Sequence, residues 1–419
     1  MLHMILRPIG RTTETALRAG RFFRRHEDAH GIRGLAGREL IDHFAAIPTD
    51  ERASRLRELA TESFSACAVA WENARAALSS SCSPIEARTA YRFLEPPYSP
   101  SVRNLQSAPD GAAFAMDVRA ELTQFKASDP EFKALDRDLL DLLETLLDRA
   151  SLQLRLVNWD APASLLERLA SLEAVHAVHG WDDLKNRVDA DRRLYALFHP
   201  SMPDRPLAFT QIAITHGLAD DVGVLLDPTA PTLDPGLGDT ATFYSISSAH
   251  KGLNGLNFGA TLIDQAVDAL RAEFPRLKTF ATLSPIPGLM RWVESGAAGD
   301  PAQIGRAVDA ARAGSEDRQL RQTFLQLVAR YLLDAKRDDG CALDPVENFH
   351  VGNGARIERI NWRADLSPAG LSASAGAMVN YVYQLDKLER NRALYRSEGT
   401  ITASSAVLRL VRRASEHAG

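Results

Sequence analysis

Residues 242–260 read TFYSISSAHKGLNGLNFGA. The first six, Thr242 to Ser247, are rich in β-branched and aromatic residues and predict a strand. Three glycines follow in short order, Gly252, Gly255 and Gly259, and predict a tight turn. From Ala260 to Phe274 apolar residues recur at three- and four-residue steps, which predicts an amphipathic helix. Another strand is predicted at Thr279 to Leu283. Strand, glycine turn, helix and strand together are a unit of an α/β or α+β domain.

The texture on either side extends this reading. Leu194 to Phe198 and Leu207 to Ile214 are two short strand-like runs around HPSMPDRP (199–206), a spacing that fits a hairpin. Leu226 to Asp239 is a proline- and glycine-rich loop, and Gln319 to Lys336 is again helical. The first 180 residues read as helical throughout. Between Glu131 and Ala150, Phe132, Leu135, Leu139, Leu142, Leu143, Leu146 and Leu147 line one face. Residues 50–78 are rich in helix formers, and Ala163 to His176 follows Pro162, which is tolerated at a helix start. Ser79 to Ser101, with its serine clusters and Pro96-Pro97, predicts a connector. The expected architecture is a helical domain over residues 1–180 followed by an α/β or α+β domain over 181–419.

Composition narrows the function classes. The chain has 419 residues, 45% hydrophobic and 25% charged, with a formal charge of 49 − 54 = −5. That is an ordinary globular balance, and its acidity argues against a dedicated nucleic-acid binder. No apolar run approaches the ~18 residues that span a bilayer. Cys67, Cys82 and Cys341 form no C-x-x-C pair, which suits a reducing compartment. Residues 1–25 carry six arginines and one acid, Glu14. They read either as a basic helix packed in the fold or as a presequence. Arginine outnumbers lysine 42 to 7 throughout, so arginine says little about targeting. The bias, with abundant alanine, suits a GC-rich bacterial genome. The chain ends in EHAG (416–419), without a peroxisomal S-K-L.

Three segments can carry chemistry. In KGLNGLNFGA (251–260) the glycines let backbone approach a ligand, and the following helix offers unpaired N–H groups to a phosphate. The spacing matches neither G-x-G-x-x-G nor a Walker loop, and a plain packing turn fits as well. In SPIPG (284–288) two prolines stiffen the turn, so Ser284 either points its hydroxyl into a cleft or caps the short helix toward Trp292. In NFHVGNG (348–354) His350 lies among glycines and asparagines rather than on an apolar helical face. It reads either as an acid/base group or as a structural histidine. Zinc-type His/Cys spacings and a G-x-S-x-G elbow are both lacking.

In this order and spacing the three segments resemble the malonyl-CoA decarboxylase family. Trp159-Asp160, EAVH (173–176), WDDL (181–184), DRR (191–193), FHP (198–200), INW (360–362) and MVNYVY (378–383) add to the likeness, which runs from about residue 150 to the C-terminus. The resemblance implies an N-terminal helical, oligomerising domain and a GNAT-like catalytic domain. It implies that Asn254, Gly255, Leu256, Asn257, Phe258, Gly259 and Ala260 bind acyl-CoA, and that Ser284 and His350 are catalytic, with Tyr383 beside them. Some members carry an acid where this chain has Asn257, so a backbone-amide site is expected there rather than a charged one. The implied activity is conversion of malonyl-CoA to acetyl-CoA and CO2 by acid/base chemistry, with no metal and no cofactor beyond the substrate's own CoA. The implied context is a bacterial cytoplasm and a homo-oligomer, dimer or tetramer, without nucleic-acid or membrane partners. Fatty-acid and malonate metabolism are both open as physiological settings. Two other readings are an acyl-CoA-dependent acyltransferase on the same fold and a non-catalytic acyl-CoA-binding scaffold.

Overall fold

A computed structural model describes residues 37–78, 99–123 and 130–416. The basic stretch at 1–25 and most of the serine-rich connector, 79–98, lie outside the described residues. The chain forms two compact units. One holds the residues up to Gln153 with Phe198–Leu207 and His250–Asn257; the other holds Leu154–Leu197, Ala208–Ala249 and the chain from Phe258 onward.

The first unit is helical: α1 (Gly37–Ala45), α2 (Thr49–Leu78), α3 (Ser99–Asn104), α4 (Gly111–Leu122) and α5 (Pro130–Leu146). The apolar stripe of α5 is buried as its periodicity requires, with Phe132, Leu135, Leu139, Leu142 and Leu143 inside. The helix stops at Leu146, four residues earlier than expected, and a short 3-10 turn at Arg149–Ser151 follows. Arg119 of α4 is buried; its Nε pairs with Asp136 Oδ1 at 3.0 Å. The same guanidinium donates to the carbonyls of Gly252 and Asn254, clamping the glycine turn onto this unit.

The second unit is built on one sheet. Its elements in chain order are β1 (Gln153–Val157), α6 (Ala163–Leu172), α7 (Trp181–Asn186), β2 (Arg192–Phe198), β3 (Ala208–Thr215), α8 (Val222–Leu226), β4 (Thr240–Ser248), α9 (Phe258–Glu273), β5 (Thr279–Thr282), β6 (Ser284–Pro285), α10 (Leu289–Glu294), α11 (Pro301–Ala313), α12 (Arg318–Asp334), α13 (Pro345–Gly352), β7 (Arg356–Asn361), α14 (Pro368–Ser374), β8 (Met378–Val382), α15 (Leu388–Glu398) and α16 (Ser405–Glu416). Helix α6, read from sequence with the helical segment, groups with this unit.

The strand order is β1-β2-β3-β4-β5-β8-β6, with β7 also on β8. β2 and β3 form the expected antiparallel hairpin, with Leu197 opposite Ala208. β3 and β4 are buried on both faces, so neither shows the alternation of a half-exposed strand. β4 and β5 run parallel, Thr240 beside Thr279, and the chain between them contains α9, as a parallel pair needs. Helix α9 buries Leu262, Ile263, Val267 and Leu270, about 1.5–3 kcal/mol for each large aliphatic side chain. A mixed, mainly antiparallel sheet following a helical N-terminal unit is the expected α+β architecture.

Candidate active site

Strand β8 supplies one wall of the candidate site. Residues 379, 381 and 383 share a face of the sheet by the period of two. β8 pairs with β6, Ser284 opposite Val379, and Tyr383 N–H donates to Phe280 O at 2.9 Å. The sheet therefore sets Ser284 and Tyr383 on neighbouring strands. Asn380 ties the same region from behind, donating to Thr282 O at 2.8 Å and accepting from Asn361 Nδ2 at 2.8 Å.

Helix α13 brings the histidine. The sequence reading put His350 outside any apolar helical face, and the structure corrects this. Asp344 caps the helix and accepts from the N–H groups of Val346 and Glu347, with Pro345 at the first helical position. His350 is then turned inward and is 3% exposed. The glycines and asparagine that suggested a loop lie at the helix end: Gly352 is its last residue, Asn353 is the C-cap, and Gly354 has φ of 88°.

The three residues expected to be catalytic meet in one hydrogen-bonded chain. Ser284 Oγ lies 3.1 Å from His350 Nε2, and His350 Nδ1 lies 2.8 Å from the Tyr383 hydroxyl. Ser284 Oγ donates to Thr282 Oγ1 at 2.8 Å. Its one proton is thereby used, which assigns the rest of the chain. Nε2–H donates to Ser284, and Tyr383 O–H donates to Nδ1. The capping alternative for Ser284 does not hold, because α10 is capped by Gly288.

The site is buried and its relay is uncharged. Ser284, Tyr381 and Tyr383 are buried and Thr282 is fully so. Burial alone pushes the His350 imidazole down to about 3, so it is neutral at physiological pH. Burial raises the Tyr383 hydroxyl far above its ordinary value. The Tyr381 ring stacks on the imidazole with centroids 4.6 Å apart at 23°, which holds the ring plane.

The expected substrate loop divides. Asn254 to Asn257 belong to the first unit, and Phe258, Gly259 and Ala260 open α9 in the second. Gly255 has φ of 98° and Asn257 of 50°, a left-handed backbone that glycine and asparagine tolerate. For Gly252 the packing reading is right: a β-carbon there would stand 2.0 Å from the Met116 carbonyl oxygen. Gly259 reaches the site from its own side. A β-carbon on it would meet Phe349 Cζ at 2.7 Å, and the Phe349 ring lies against His350.

Sequence reasoning missed Thr282, Tyr381, Asp344 and Glu347. An Asp-Pro helix start was legible at Asp344-Pro345. The side-chain pairing of Thr282 was not, since it depends on a strand end and a distant helix facing each other. Among the described residues no group of three or more His, Cys, Asp or Glu side chains could hold a metal ion.

Comparison with known proteins decides the family. Residues 150–418 match the model of the malonyl-CoA decarboxylase C-terminal domain, and residues 64–146 that of the N-terminal domain. The chain belongs to the malonyl-CoA decarboxylase family. A mitochondrial malonyl-CoA decarboxylase of Anser anser anser is 33% identical over 361 residues, covering 78% of this chain and 71% of that protein. The Rattus norvegicus protein of the same name is 32% identical, over 78% and 74%. Among solved structures, malonyl-CoA decarboxylase from Rhodopseudomonas palustris has a TM-score of 0.80 at 34% identity, covering 89% of this chain and 93% of its own. That from Agrobacterium vitis has 0.80 at 31%, covering 95% and 99%. The family spans both units described above, and the Ser284–His350–Tyr383 chain falls within its C-terminal domain.

Proposed function

We propose that this malonyl-CoA decarboxylase converts malonyl-CoA to acetyl-CoA and CO2 with Ser284, His350 and Tyr383 as its proton relay. The observation that carries the reading is the neutral, buried chain Tyr383 O–H to Nδ1 and Nε2–H to Ser284 Oγ. The C–C bond to the carboxylate breaks, and its electron pair moves into the thioester carbonyl. With substrate bound the Ser284 hydroxyl turns from Thr282 to the enolate carbon, which takes its proton; Ser284 takes that on Nε2, and Nδ1 takes that of Tyr383. Water restores Tyr383, and the imidazole, left as its Nδ1–H tautomer, exchanges that proton for one on Nε2 before the next turnover, so one solvent proton is consumed per CO2 released. The thioester carbonyl is the electron sink, so the proposed chemistry needs no further cofactor and no metal.

The absence of charge in this relay is itself useful. A cation on the malonyl carboxylate would stabilise the ground state and hold CO2 back, whereas neutral donors favour the dispersed charge of the transition state. The acyl-CoA role of residues 254–260 is supported locally by the left-handed turn at Gly255 and Asn257. It is supported also by the start of α9, whose first N–H groups have no intrahelical partner. We further propose a homo-oligomer, dimer or tetramer, in a bacterial cytoplasm. The bacterial origin of the solved relatives and the arginine bias support the bacterial setting, and the family resemblance suggests the oligomer. Among the described residues no helix is long and apolar enough to cross a membrane.

Release of labelled CO2 from malonyl-CoA, without an added acceptor, tests the relay. His350→Ala is expected to lower kcat at least about a hundredfold with KM changed far less, the usual worth of one acid/base group. Ser284→Ala should do the same, and Tyr383→Phe should fall between these and the parent. Near-normal turnover in His350→Ala would remove the imidazole from the mechanism. An absolute requirement for an amine acceptor would favour acyl transfer instead.

A further inference from the structure

Ser284 and His350 are 66 residues apart and ride on different elements, one in the sheet and one on a helix. The sheet fixes Ser284 relative to Tyr383, and it does not by itself fix α13. One buried side chain touches both supports. Asp344 is 1% exposed. Its Oδ1 accepts from Val346 N–H at 2.9 Å and Glu347 N–H at 3.2 Å, closing the first turn of the helix that carries His350. Its Oδ2 accepts from Gly288 N–H at 2.9 Å and from the Tyr331 hydroxyl at 3.2 Å. Gly288 is the last residue of SPIPG, four residues after Ser284, across a turn stiffened by two prolines.

The approach is close enough to demand glycine. A β-carbon on Gly288 would stand 2.0 Å from the Tyr331 hydroxyl oxygen and 3.1 Å from Asp344 Oδ2. An ordinary helix cap needs one acceptor oxygen. Here the second oxygen is spent on the serine turn, inside the protein, where leaving it unpaired costs most.

We propose that Asp344 is a positioning residue for decarboxylation: it pins the serine turn to the histidine helix and so sets the Ser284–His350 distance. The proposal rests on the relay described above. A displacement of about 1 Å between reacting groups costs about a hundredfold in rate, so loss of the pin acts on kcat and leaves KM for malonyl-CoA nearly unchanged.

Asp344→Ser is the informative variant. Its hydroxyl can still cap α13 but is too short to reach Gly288. Asp344→Asn keeps one acceptor and turns an amide donor toward a donor. Gly288→Ala attacks the same joint from the other side without altering the cap. Each is expected to lower kcat about ten- to a hundredfold with KM within about threefold, both measured by labelled CO2 release on the full chain. The deciding readout is a double-mutant cycle with Ser284→Ala. If Asp344 acts through the pair, adding Asp344→Ser or Gly288→Ala to Ser284→Ala lowers kcat no further. Additive losses, or full kcat in any of these variants once folded, overturn the pin. Should Asp344→Ser and Asp344→Asn fail to fold, Gly288→Ala tests the same joint from the turn. The relay itself fails by a different result, unchanged turnover in Ser284→Ala and His350→Ala alone.

Discussion

Glu347 lies one helical turn before His350, is 0% exposed, and neither of its carboxyl oxygens has a hydrogen-bond partner. Burial, and next the nearby Asp344, raise its pKa well above 4.5; Lys336, whose own ammonium is pushed down by burial, opposes this. In the native protein Glu347 therefore holds its proton after the unfolded chain has released it. The sign follows from linkage: below about pH 4.5 both states are protonated, and the group leaves stability independent of pH. Above that, stability falls by about 1.36 kcal/mol per pH unit until the native pKa is passed, and then levels. Glu347→Gln carries no proton, so the variant gains on the parent with the same slope over the same window. The new amide leaves two donors buried, a cost of about 1–3 kcal/mol that does not depend on pH. The slope is therefore the test, and the offset is not. Urea unfolding of both proteins at pH 5, 6, 7 and 8 measures it. Parallel stability curves across that range would show that Glu347 is ionised or partnered in the fold, and would refute the reasoning.

Three other outcomes are expected. Because His350 is held down to about 3, its neutral form persists throughout the range above that value, and kcat from pH 5 to 9 should show no acid limb near 6.5. An acid limb at 6–7 that vanishes in His350→Ala would contradict this. Gly259→Ala drives a methyl into the Phe349 ring, at a cost of about 1–3 kcal/mol by denaturant titration and a fall in kcat through the adjoining imidazole. Equal stability and turnover would mean that Phe349 yields freely. Arg119→Ala removes the buried ion pair to Asp136 and the donors to the carbonyls of Gly252 and Asn254 in the first unit, and should cost about 3–5 kcal/mol in urea unfolding. A loss below about 1 kcal/mol, the worth of an exposed pair, would show that the clamp is dispensable.

Much of the fold was legible before any coordinates. Short-range periodicity is a property of neighbouring residues, so β4, α9, β5 and the 192–215 hairpin fell within a few residues of their predicted bounds. The chemistry-bearing residues were legible only as a resemblance. From the residues alone Ser284 read first as a helix cap, and His350 as a surface or structural histidine. What misled was local composition: glycine and asparagine after His350 end the helix that carries it.

The sequence by itself determined the alternation of helices, strands and turns. These depend on interactions reaching three or four residues along the chain. Tertiary structure alone decided that Ser284, His350 and Tyr383 form one chain of hydrogen bonds, and that Asp344 joins their supports. It alone decided, too, that the imidazole is neutral, because a pKa is set by the solvent a group loses, and burial is a property of the packed molecule.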